Sequence, residues 1–119
     1  MPVFKCATCV QKNECEKCTH AFYKYYVYLK PESLKPGWSR DKIQDEIIAL
    51  GVPCYQGSCS EVYLEKAFDG SGSRPKRRLP NARLLGETSL MFLVHPTLTQ
   101  AEIDKTCSVI QQVMERASL

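Results

Sequence analysis

Residues 37–53, GWSRDKIQDEIIALGVP, place apolar side chains at Ile43, Ile47 and Leu50 among polar neighbours. The i, i+4, i+7 spacing gathers all three on one helical face, and predicts a helix with one buried stripe. Ser39 can accept from the first free backbone N–H groups, and Trp38 can staple onto Ile43. Gly51 supplies a left-handed residue after the last turn, and Pro53 blocks continuation. Arg40, Asp41, Lys42, Asp45 and Glu46 fall mostly on the opposite, solvated face. A second helix is predicted over 99–119, where Thr99-x-x-Glu102 is a capping box and Leu98 can staple to Ile103. Its expected buried stripe is Ile103, Cys107, Ile110 and Met114, with Cys107 as a small core residue.

Two stretches read as strands. HAFYKYYVYL (20–29) is dense in aromatic and β-branched residues. Alternation puts Tyr23, Tyr25, Val27 and Leu29 on one face and Phe22, Lys24, Tyr26 and Tyr28 on the other, so both faces meet protein. SLMFLVHP (89–96) is a continuous apolar run, which predicts burial on both sides. Between them, 52–56 reads as a short extended piece that turns at Gln56-Gly57. Ser58-x-x-Glu61 then reads as a capping box opening a helix through about Phe68. The Gly-Ser-x-Ser run resembles a weak phosphate cradle, but it lacks the spacing of a nucleotide-binding loop, and plain capping accounts for it. DGSGSRPKRR (69–78) is expected to be a mobile surface loop, and LPNARLLG (79–86) a short helix with Pro80 near its start and Gly86 just past its end. The order of elements predicts an α+β, two-layer domain with helices packed on a small, mostly antiparallel sheet.

Composition sets limits on this picture. At 119 residues, 44% of them hydrophobic, the chain suits one core. We divide it into a Cys-rich tail or linker over 1–18 and a domain over 19–119. Sixteen basic and thirteen acidic residues leave a net charge of +3, too weak a bias to indicate nucleic acid. The cluster Arg74, Lys76, Arg77 and Arg78 lacks interleaved aromatics and reads as solvated. The run LMFLV at 90–94 is far short of the roughly 20 residues of a membrane helix, and no signal-peptide core is evident, so a soluble cytoplasmic protein is expected. Seven cysteines without an export signal are expected as thiols or metal ligands. Cys6, Cys9, Cys15 and Cys18 form two C-x-x-C pairs that could grip one zinc ion, with His20 able to replace a cysteine. The gap between the pairs is short for a zinc ribbon, and thiols in a tail are the plainer reading. His95, before Pro96, reads as a hydrogen-bonded residue closing its strand. No G-x-S-x-G nucleophile elbow occurs.

Three segments together, HAFYKYYVYL, WSRDKIQDEIIALGVPCYQGSCSEVYLEKAF and LPNARLLGETSLMFLVHPTLTQAEIDKTCSVIQQVM, resemble the C-terminal small domain of DegT/DnrJ-type aminotransferases. These are pyridoxal-phosphate enzymes that aminate nucleotide-linked keto-sugars. The resemblance spans about residues 19–117, with GSCSEVYLEKAF and LPNARLLGETSLMFLVHPTLT its most specific parts. It implies the small domain of an aspartate-aminotransferase-like fold, packed against a large cofactor-binding domain in a homo-oligomer. It also implies that His20, Tyr23, Gln56, Gly57 and Ser58 face the cofactor domain and sugar-nucleotide site. Transamination needs a lysine for the cofactor, a carboxylate for its ring nitrogen and donors for its phosphate. The family carries these upstream, and Met1 leaves no room for them here. The chain alone is therefore expected to bind no pyridoxal phosphate and to lack catalytic residues, and zinc binding by a stand-alone module is the alternative.

Overall fold

The structure, a computed structural model, describes the backbone of Phe4–Cys6 and residues 23–119. Four strands, β1 (Phe4–Cys6), β2 (Lys24–Leu29), β3 (Cys54–Gln56) and β4 (Ser89–Leu93), form one sheet in the order β1-β2-β4-β3. Every pairing is antiparallel. In the central pair Tyr25 lies opposite Phe92 and Val27 opposite Leu90, so the alternation read from the sequence holds. β1 is an element that the sequence pattern did not signal.

Helices α1 (Arg40–Ala49) and α3 (Gln100–Ala117) supply the core that covers one sheet face. Ile43, Ile47 and Val113 pack there with Val27, Leu90, Phe92 and Cys54. α1 ends as expected: Ser39 Oγ accepts from Lys42 N, and Gly51 adopts φ +76° after the last turn. Trp38 packs against the same core and holds the Lys42 ammonium over its ring at 4.7 Å. Leu50, expected on the buried stripe, is instead exposed at the helix end. The Thr99–Glu102 capping box of α3 is complete in both directions.

The expected buried stripe of α3 holds only toward its C-terminal end, at Met114 and in part at Ile110. Val109, Val113, Met114 and Ala117 are buried, whereas Ile103 and Cys107 are exposed and Ile110 is half-buried. Only the C-terminal half of α3 is buried, so Cys107 is a surface thiol and not a core residue.

The segment after β3 corrects two further expectations. No α-helix follows Ser58; two short 3₁₀ turns, Val62–Leu64 and Lys66–Phe68, stand in its place. Distant partners take both halves of the expected capping box, since Ser58 bonds Tyr26 and Glu61 pairs with Arg78. The following loop is fastened: Arg74 donates to the carbonyls of Tyr63, Leu64 and Glu65 at 2.8, 2.8 and 3.1 Å. Helix α2 (Pro80–Thr88) runs straight through Gly86, which is therefore not its terminating residue. His95 closes the end of β4 as expected, its Nδ1 2.7 Å from Thr97 Oγ1. Among the described residues no helix is long and apolar enough to cross a membrane.

Candidate functional site: a hydroxyl-lined pocket on the second sheet face

On the face of the sheet away from α1 and α3, Tyr26 and Tyr28 of β2 point toward the loop 57–60 and α2. Together with Gly57, Ser58, Ser60 and Ser89 they line a pocket of about 340 Å³ that Leu85 closes on one side. Tyr26 Oη and Ser58 Oγ are 2.6 Å apart, which joins the strand to the loop.

Two glycines let the loop lie so close. A Cβ on Gly57 would stand 2.3 Å from Ser89 Oγ and 2.8 Å from Ser89 Cβ. Neither glycine has a positive φ, so Gly57 is required by close approach and not by turn geometry. A Cβ on Gly86 would stand 2.4 Å from Ser60 Oγ, so the same loop is seated against α2. Arg40 secures this junction from the other layer: its Nη1 donates to the carbonyls of Gly86 and Ser89 at 3.0 and 3.2 Å. A cation on the last turn of α2 also suits the helix dipole.

Below the pocket, a polar clasp holds the irregular segment. Arg78 grips Glu61 through both Nε and Nη2, Tyr63 Oη donates to Glu61 Oε1 at 2.6 Å, and Leu79 N donates to Tyr63 Oη at 2.9 Å. The Arg78 bond, with Tyr63 second, lowers the Glu61 carboxyl to about 2. Cys59 Sγ donates to Glu65 Oε1 at 3.4 Å, and that bond first, with burial behind it, pushes the thiol up from its ordinary value. A thiol so placed is a poor nucleophile. Cys54, buried in the core, is pushed up to about 11 by desolvation.

Of the residues expected to face a substrate, Gly57 and Ser58 come together in this pocket. Gln56 lies on the edge strand and donates to Asp41 Oδ1 at 3.3 Å, toward α1. Tyr23 stands 81% exposed before β2, outside the pocket lining, and His20 lies outside the described residues. Cys9, Cys15 and Cys18, together with the side chain of Cys6, also lie outside them. Among the described residues no group of His, Cys, Asp or Glu could hold a metal ion. Tyr28, Cys59, Ser60, Leu85 and Ser89 join the pocket without having been singled out as substrate-facing. Two of them carried a signal, Ser60 within the Gly-Ser-x-Ser run and Tyr28 on the second strand face beside Tyr26. The pocket lining contains hydroxyls and aromatic rings but neither a lysine nor a carboxylate. It therefore does not fit pyridoxal phosphate as a covalent anchor.

No protein-family model matches the chain, and no curated protein does. Solved structures do. An aminotransferase from Psychrobacter cryohalolentis shares 61% identity over 82% of this chain with a TM-score of 0.79, and the match covers 25% of that protein. A DegT DnrJ EryC1 StrS aminotransferase from Brucella abortus has the same fold at a TM-score of 0.57, with 24% identity over 75% of this chain and 21% of its own. The chain thus spans about a quarter of the aminotransferases it matches. The α+β domain, with its antiparallel sheet, helices on one face and a glycine-seated loop on the other, has the fold of the small domain of these aminotransferases. More narrowly, it is similar in sequence to one quarter of the P. cryohalolentis aminotransferase, and it shares the fold of the DegT DnrJ EryC1 StrS aminotransferase.

Proposed function

We propose that this chain serves as the C-terminal small domain of a pyridoxal-phosphate-dependent aminotransferase acting on nucleotide-linked keto-sugars. The observation that carries the reading is the 61% identity, over 82% of the chain, to one quarter of an aminotransferase. In this reading the cofactor, its lysine and its carboxylate are supplied by a large domain, and residues 1–119 by themselves are a non-catalytic scaffold. The pocket chemistry favours a sugar-like ligand. Hydroxyls of Tyr26, Ser58, Ser60 and Ser89 both donate and accept, and tyrosine rings offer apolar faces to the C–H side of a sugar. In this reading Gly57 and Ser58 lie nearest the substrate, while His20, Tyr23 and Gln56 border the large domain.

The test has two parts. Pyridoxal phosphate titrated into the isolated chain is expected to give no protein-bound absorbance, and the chain no amino transfer to a nucleotide-linked keto-sugar. A chimera of the P. cryohalolentis aminotransferase, with its matching quarter replaced by this chain, is expected to bind the cofactor and transfer the amino group. Amino transfer by the isolated chain, or a chimera that cannot load cofactor, would refute the proposal.

A further inference from the structure

Ile103, Cys107 and Ile110 carry the spacing of a buried helical face, yet Ile103 is 42% exposed and Cys107 lies at the surface. They form one wall of a groove of about 330 Å³, which Tyr25, Leu93 and Leu98 complete from the end of the sheet and the turn into α3. The polar groups at its edge are few, and Glu102 is already engaged by the Thr99 cap at 2.7 and 2.8 Å. A continuous set of large apolar side chains open to water marks a surface that another surface covers. α3 thus has two apolar stripes: Val109, Val113 and Ala117 are covered by this domain's own core and Ile110 packs against its edge, while Ile103 and Cys107 stand exposed.

The length of the matched aminotransferase indicates the occupant. There the same fold is 25% of the chain, and the other three quarters must pack against it somewhere. An apolar groove whose one carboxylate, Glu102, is already hydrogen-bonded suits a permanent interdomain contact better than a polar or transient partner. We infer that this groove is the seat of the large cofactor-bearing domain, which inserts apolar side chains between Leu93 and the first turns of α3. The inference rests on the function proposed above and adds the docking surface to it. The hydroxyl pocket and the groove then divide the labour, one toward substrate and one toward the partner domain.

Cys107 provides the probe. Iodoacetamide labelling, read by peptide mass spectrometry, is expected to modify Cys107 readily in the isolated chain and roughly tenfold or more slowly in the chimera. Ile103→Glu with Cys107→Glu is expected to leave the isolated chain monomeric with its Tm within about 2 °C, and to reduce cofactor-loaded chimera by roughly tenfold. Four results would overturn the inference: equal labelling of Cys107 in a chimera that holds cofactor; normal loading of the double variant; an isolated chain that dimerises and protects Cys107; or an isolated monomer that protects it, which would assign the groove to residues 7–22. The first two leave the proposed function standing, whereas a wild-type chimera that fails to assemble removes both.

Discussion

The two faces of the sheet are held by different physics. Toward α1 and α3, side chains with no polar groups are withdrawn from water, and Ile43, Ile47, Leu90 and Val113 are fully buried. Toward the loop 57–60 and α2, contact depends on the missing Cβ of Gly57, on the Tyr26–Ser58 bond and on Arg40 bridging the layers. The first face supplies stability and tolerates shape changes at a graded cost; the second fixes the position of a few polar groups and responds sharply to a single methyl. On the proposed function, a domain that presents hydroxyls to a sugar-like ligand keeps these two tasks on opposite sides.

The contrast can be broken from either side. Ile47→Ala opens a cavity in the helical face and is expected to cost about 2–5 kcal/mol, read by urea denaturation, with the hydroxyl pocket keeping its arrangement in what remains folded. Gly57→Ala comes next, at about 1–3 kcal/mol, because Ser89 Cβ as well as Oγ obstructs the new methyl. Adding Ser89→Gly is expected to recover part of that loss, and additive losses would refute the close-approach account. Thr99→Ala removes the α3 cap for about 1 kcal/mol, lowering Tm without altering the pocket. Gly86→Ala should be nearly neutral: the obstacle is chiefly Ser60 Oγ, which can rotate, and alanine gains about 1 kcal/mol over glycine inside a helix.

The clasp at Glu61 adds a pH signature to the second face. Its folded pKa, about 2, lies below the ordinary 4.5, so its contribution is complete above about 4.5 and is lost as pH falls toward 2. Glu61→Gln should therefore be less stable than the parent at neutral pH, with the difference closing across that acid window. A constant difference down to pH 2 would show that Glu61 acts through packing alone.

The apolar face was legible in the sequence because its signals are local and periodic. The caps at Ser39 and Thr99, the Ile43–Ile47 spacing and the alternation in β2 each depend on residues within one or two turns. The second face was not, because its determinants meet across long separations: Ser58 with Tyr26, Glu61 with Arg78, Gly86 with Ser60. The pattern Ser58-x-x-Glu61 has the form of a cap but lost both side chains to those partners. Gly57 was picked out for a turn, and its actual role in admitting Ser89 has no one-dimensional mark. The misplaced stripe on α3 is different in kind, since Ile103, Cys107 and Ile110 do have a buried pattern, and of these only Ile110 packs against the core among the described residues.

The central proposal is that this chain is the scaffold quarter of an aminotransferase, and amino transfer by matched samples tests it most directly. With pyridoxal phosphate, an amino donor and a nucleotide-linked keto-sugar present, the isolated chain is predicted to give no aminated sugar, while the chimera with the P. cryohalolentis large domain turns over. Aminated sugar from the isolated chain, or a folded, cofactor-loaded chimera that forms none, would contradict the account.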